Sequence, residues 1–438
     1  MHTESESERA IAEVSQASTA ESFVAPQSRF VSKKYHDPTW DFREHRTKYS
    51  VHGVHPYPAM MIPEVAKKLI LKYSQPGNVI LDPFCGSGTV LVESKLNGRN
   101  TVGTDINPLA VLLSKVKTSP INPTKLRKAS LEVINGITYV GTNEDPPSFQ
   151  NIEFWFKPKV IRDLTNISYH INQVSDVKIR KFLLVCFSLT VRLASNTRNG
   201  EFKLFRIPKE KLSKHNPDSL RIFREVLFKN ISKMEEFYKS LSSSKVFVKV
   251  LQKDMRKPLP FASNYFDALI TSPPYGDSRT TVAYGQFSRL SSQWLGFENA
   301  NSIDKLSLGG KPANSLHCEL PSHRLTESVS AIGKEDEERA KEVLSFYIDF
   351  YECLKEVNRL LKRKAIACFI VGNRMVKGYR IPTDEIFVEL FEKDFDHLET
   401  VVRNIPSKTM PLQNSPTNLK GVVSDTMHKE NIVILRKR

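Results

Sequence analysis

Residues 79–105 constrain the fold of this chain more than any other segment. An apolar triplet, Val79-Ile80-Leu81, runs into Asp82-Pro83-Phe84-Cys85-Gly86-Ser87-Gly88-Thr89, and helical spacing resumes over 89–97 until Gly98. A buried strand that breaks at a Gly-x-Gly turn and restarts as a helix leaves bare backbone where a ligand can come close. The next short strand covers 100–104 with Asp105 at its end, and Asn107-Pro108 opens a helix over 109–117. Another helix, over 64–73, precedes the first strand, with Val65, Leu69, Ile70 and Tyr73 near helical spacing. This alternation predicts an α/β fold with a doubly wound, mostly parallel sheet, Rossmann-like in outline. Leu91 stands where a dinucleotide fingerprint has its third glycine, which disfavours a nicotinamide or flavin cofactor.

The alternation breaks over 120–244. Helical spacing over 160–174, 177–194 and 218–241 predicts a helical insertion, interrupted by a polar, basic loop at 195–206 with aromatics interleaved. Strands resume over 246–251 and 265–271, with Asp254 following the first. A second irregular region, 276–334, leads to a long amphipathic helix over 336–361 and to strands over 365–371, 398–403 and 431–435. The expected division is a disordered acidic tail over 1–28, two halves of one α/β domain over 29–119 and 245–438, and the insertion over 120–244.

Composition narrows the partners. A chain of 438 residues with 25 Phe can bury a large core. Its 64 Lys and Arg against 48 Asp and Glu leave a formal charge of +16, which favours a polyanion such as nucleic acid. The serine-rich acidic start is unlike a secretory signal or transit peptide. No apolar run nears the roughly 20 residues that span a bilayer, so no membrane partner is expected. Five cysteines without a Cys-x-x-Cys pair or a zinc-type cluster predict reduced, buried thiols in a cytoplasmic protein, and no metal site.

The strand over 265–271 stops at Ser272-Pro273-Pro274-Tyr275. These residues suit an extruded nucleobase. An exocyclic amine is a poor nucleophile because its lone pair is delocalised into the ring. The Ser272 hydroxyl and the Pro273 carbonyl can accept its two hydrogens, and the prolines fix those acceptors in advance. Tyr275 can stack on the base, offsetting part of an unstacking cost of about a few kcal/mol. No cysteine follows a proline, which argues against covalent attack at cytosine carbon-5.

The glycine turn, the Ser-Pro-Pro-Tyr tetrad and His52-Gly53-Val54-His55-Pro56-Tyr57-Pro58-Ala59 together resemble the amino-methylating DNA methyltransferases of restriction–modification systems, in their N4-cytosine branch. The resemblance spans the catalytic elements from about residue 51 to 373 and the last strand, and leaves the helical insertion uncovered. It implies S-adenosylmethionine as cofactor, held by Tyr57, Asp82, Pro83, Phe84, Gly86, Gly88, Thr89, Asp105, Ile106 and Asp254. Asp105 would take the ribose hydroxyls, Ile106 would pack on adenine, Asp254 would meet the adenine amine, and His55, Pro56 and Tyr57 would line the methionine end. Ser272, Pro273, Pro274 and Tyr275 would be catalytic. Double-stranded DNA is the implied substrate, and a restriction endonuclease acting on the same site a possible partner. Arg198, Lys203 and Arg206 in the insertion, and Arg279 and Arg289 past the tetrad with Tyr284 and Trp294, are candidates for DNA contact. A serine at the tetrad's head is typical of cytosine N4 methylation. N6-adenine methylation, an RNA amino-methyltransferase and a non-catalytic DNA-binding module on the same fold remain alternatives.

Overall fold

The structure is a computed structural model that describes residues 33–241, 245–277, 281–317, 319–405, 413–414, 424–425 and 427–438. The tail expected over 1–28 and Arg279 lie outside the described residues. Within 34–438 the frame is an eight-stranded sheet. In chain order its strands are β1 Lys34–His36, β2 Val79–Asp82, β3 Asn100–Asp105, β4 Val248–Gln252, β5 Phe266–Thr271, β6 Leu361–Val371, β7 Phe395–Asn404 and β8 Lys429–Lys437. Across the sheet they run β1-β7-β8-β6-β5-β2-β3-β4, and β8 alone is antiparallel to both its neighbours. The α/β, mostly parallel sheet read from the alternation is therefore the fold.

Period-two patterning explains why both faces are covered. Leu81, Leu269, Phe369, Val433 and Leu435 pack into one apolar cluster. Their chain neighbours Ile80, Ile270, Cys368, Ile370, Ile432 and Ile434 pack into another on the opposite face. Helices α1 Pro63–Tyr73 and α2 Thr89–Leu96 supply the second cluster with Val65, Leu69, Val90 and Leu91. Burying each such side chain contributes on the order of 2 kcal/mol.

Helix α3, Pro108–Lys117, joins this sheet to a helical body. That body consists of α4 Pro123–Tyr139, α5 Pro158–Asn172, α6 Val177–Ala194 and α7 Ser219–Ser240, and it shares one core with α3 through residues such as Leu113, Leu126, Leu164, Phe182 and Phe223. Aspartates start two of these helices: Asp176 accepts from Lys178 and Ile179 N–H, and Asp218 from Arg221 N–H.

The region over 276–334 is more regular than its sequence suggested. It holds α8, Tyr284–Trp294, and α9, His323–Gly333, ahead of α10, Glu337–Leu360, and α11, Thr383–Phe391. In α8 the apolar stripe is Phe287, Leu290 and Trp294 at helical spacing, diluted by serines. Trp294, read as a DNA contact, is a core residue. It is 4% exposed, with its ring edge-on to Phe149, Phe156 and Phe187.

Candidate active site

Register places the two loops. β2 pairs in parallel with β3 on one side and with β5 on the other, Leu81 facing Leu269. The turn after β2 and the tetrad after β5 therefore leave the same sheet end from adjacent strands, at the switch point where α/β folds bind ligands. A direct bond ties them: the Thr271 hydroxyl donates to Asp82 Oδ1 at 2.7 Å.

A cavity of about 900 Å³, counting its open mouth, lies over these strand ends. Tyr57, Pro83, Phe84, Gly86, Thr89, Asp105, Ile106, Asp254, Ser272 and Pro274 all line it. Gly86 has a φ of +48°, and its N–H donates to Asp105 Oδ2 at 3.0 Å. The other oxygen, Asp105 Oδ1, accepts from Asn107 N–H at 2.8 Å. Asp105 lines the cavity, and a carboxylate has acceptor capacity for about four hydrogen bonds, so a vicinal diol is chemically compatible with this acid. Burial raises the Asp105 carboxyl to about 6, and the surrounding N–H donors work against that rise.

Asp82 and Gly88, expected at the cofactor, do not line the cavity. Asp82 is buried under β5, where its Oδ1 accepts from Thr271 and, at 3.3 Å, from Phe84 N–H. Its bonds hold the turn, outside the cavity lining, and burial lifts its carboxyl to about 7. Gly88 has a φ of +85° and starts α2. A Cβ there would stand 2.8 Å from Ser114 Oγ, so close helix packing is its reason for being glycine. His55 and Pro56 are likewise absent from the lining. His55 is buried, its Nδ1 lies 2.6 Å from the Pro56 carbonyl, and burial drives its imidazole down to about 3.

Asp254 lines the cavity, but its carboxylate is gripped by Arg256, whose Nε and Nη2 donate at 2.7 to 3.1 Å. A ligand amine would have to share those oxygens. In the tetrad, Ser272 and Pro274 face the cavity while Pro273 is buried. The Ser272 hydroxyl lies 3.2 Å from both the Ile370 carbonyl and the Tyr275 hydroxyl.

The basic candidates divide. Lys203 is exposed, and Arg198 pairs with Glu201 at 3.4 Å. Arg206 is half-buried, its guanidinium 3.9 Å from the Phe154 ring centre. Their loop docks on α8, where Leu204 N–H donates to Gln286 Oε1. Arg289 is half-buried on that helix.

Comparison with known proteins decides the family. A profile of N6- and N4-directed methyltransferases, described as DNA methylase, matches residues 4–115. The type II methyltransferase M.MvaI of Kocuria varians is 41% identical over 435 residues, covering 93% of this chain and 96% of that protein. This chain belongs to the restriction–modification amino-methyltransferases. It is an S-adenosylmethionine-dependent DNA methyltransferase of type II. M.BsoBI of Geobacillus stearothermophilus is 24% identical over 78% of this chain and 71% of its own length. M.MjaII of Methanocaldococcus jannaschii is 40% identical over 90 residues, 20% of this chain and 17% of that protein.

For a methyltransferase cavity, several lining residues were not assigned to its wall from the sequence. Tyr284 lines it from α8, and Asn107, also in its wall, donates through Nδ2 to the Tyr57 and Ser288 hydroxyls. Met255, Ile303 and Leu308 add apolar wall. Tyr284 read as a DNA contact and Asn107 as a helix cap, which it also is: its Oδ1 accepts from Leu109 N–H. Behind the glycine turn, the Lys117 amine is fully buried and reaches Ser87 Oγ at 3.1 Å, with burial lowering it to about 7.

Proposed function

We propose that this methyltransferase acts on the exocyclic N4 amine of cytosine extruded from duplex DNA. One observation carries the reading: Ser272 and Asp105 line a single cavity. Asp105, Ile106 and the bare backbone at Gly86 would hold the cofactor, with Tyr57 and Phe84 packing against it. S-Adenosylmethionine supplies a methyl already activated on a sulfonium, so alignment matters more than a strong base. Ser272 Oγ and the Pro273 carbonyl would accept the amine hydrogens and localise its lone pair. Such preorganised partners contribute roughly 10²–10³ in rate when they act on the reacting group. Tyr275 would stack on the extruded ring.

The helical insertion over 120–244 would read the target. Its Arg198, Lys203 and Arg206, with Arg289 on α8, would meet phosphates or bases, and Arg279 belongs to the same proposal. The modification would protect one site from a cognate restriction endonuclease in the cytoplasm. Serine, rather than an acid or asparagine, at position 272 favours cytosine over adenine.

Nucleoside analysis of duplex DNA and of transfer RNA, each incubated with the protein and methyl-labelled cofactor, tests this. Label in N4-methylcytosine is the expected result. Label in N6-methyladenine would move the substrate to adenine. Label in transfer RNA alone would move it to RNA, the substrate named for a tRNA (guanine(10)-N2)-dimethyltransferase of Methanocaldococcus jannaschii that is 36% identical over 66 residues, 15% of this chain.

A further inference from the structure

A chain of hydrogen bonds runs from the tetrad to the far end of the sequence. The Tyr275 hydroxyl donates to Glu430 Oε1 at 3.0 Å and lies 3.2 Å from Ser272 Oγ. Glu430 Oε2 is paired with Arg403, its direct cross-strand partner where β8 meets β7. Arg403 is 1% exposed, with Nε donating to the Trp40 carbonyl at 2.8 Å and Nη2 to the Asp41 carbonyl at 3.3 Å. A buried cation with this many fixed acceptors cannot turn away, so its carboxylate partner is fixed too.

Proton count gives this chain a direction. Arginine only donates and an ionised carboxylate only accepts. Glu430 therefore takes the phenol's single proton, and Tyr275 has none left for Ser272. The serine's own proton goes to the Ile370 carbonyl or to the phenol oxygen, both 3.2 Å away. Its lone pairs stay open. We infer that Glu430, anchored by Arg403, is a positioning residue that sets the polarity of the Tyr275–Ser272 contact so that Ser272 offers lone pairs, not competition, to the substrate amine. This rests on the reading above that Ser272 accepts from that amine.

Glu430→Gln tests the direction while nearly keeping the shape. Arg403 forces the new carboxamide to present its oxygen, so its NH₂ faces Tyr275. The phenol oxygen then accepts, and its proton turns onto Ser272 Oγ, occupying one lone pair. Glu430→Gln should lower kcat about ten-fold or more, with cofactor affinity and the KM for DNA changed less than about two-fold. Adding Tyr275→Phe removes the misdirected proton and keeps the ring, so the double variant should turn over faster than Glu430→Gln alone. Glu430→Asp cannot reverse the polarity and should be faster than Glu430→Gln, which keeps the test alive if the amide variant folds poorly. Undiminished kcat in Glu430→Gln, no rescue by Tyr275→Phe, or Glu430→Asp slower than Glu430→Gln would each overturn the inference. Ser272→Ala separates the two readings. If it keeps full turnover, the amine-acceptor reading fails. If it is inactive and the rescue is absent, the polarity inference alone fails.

Discussion

The Thr271 hydroxyl and Asp82 Oδ1, 2.7 Å apart, join the end of β5 to the end of β2. The tetrad is thereby placed relative to the glycine turn by a bond neither loop makes alone. Thr271→Val keeps the side-chain shape but leaves Asp82 Oδ1 only the longer bond from Phe84 N–H. Stability should fall by about 1–3 kcal/mol in denaturant titrations. The two loops should also lose register, so kcat should drop several-fold with the KM for DNA little changed, as steady-state assays would show.

Burial gives Asp82 a pH signature. Its carboxyl ionises near 3.8 in an unfolded chain and at about 7 in the folded protein. The folded state thus binds more protons between those values, and stability must fall as pH rises through that window. Asp82→Asn retains an acceptor for Thr271 and cannot ionise. Its urea midpoint should be flatter than that of the wild type from about pH 4 to 7, and higher at about pH 8.

For Asp105 the readout is affinity. The ionised carboxylate is the stronger acceptor for ribose hydroxyls, and in the free protein it is protonated below about 6. Cofactor affinity measured by calorimetry should be level above that pH and weaken below it. Asp105→Ala should bind about ten- to hundred-fold more weakly and lose the pH dependence. Equal affinity in the two proteins would remove Asp105 from the cofactor site.

Gly372 lies between the tetrad and the last strand. A Cβ there would collide with Met427 Sδ and stand 2.9 Å from Tyr275 Cδ2, so Gly372→Ala must push the ring aside. Cofactor binding should survive. Methyl transfer should fall by roughly 10² if the tetrad moves by about 1 Å, which single-turnover kinetics would report.

Much of this was legible because strand ends announce themselves. Gly86 and Gly88 mark a turn only glycines make easily, Pro273 and Pro274 stop β5, and Asp105 ends a short strand. Period-two and helical spacing found most of the sheet and α5 to α7 within a few residues. What stayed hidden depends on distant pairing. Glu430 is 155 residues from Tyr275, and nothing local marks it. β1 is three residues long and exists because β7 offers an edge. The Asp82–Thr271 bond stayed hidden because a strand-end acid looks alike whether it faces a cavity or a buried threonine. Trp294 read as a surface aromatic because serines around it mask the apolar stripe of α8.

Ser272→Ala most directly tests whether the two loops serve one reaction. We expect cofactor affinity by calorimetry to stay within about two-fold of wild type, and methyl transfer to duplex DNA to fall by about 10² or more. Turnover at the wild-type rate with that hydroxyl gone would contradict the account.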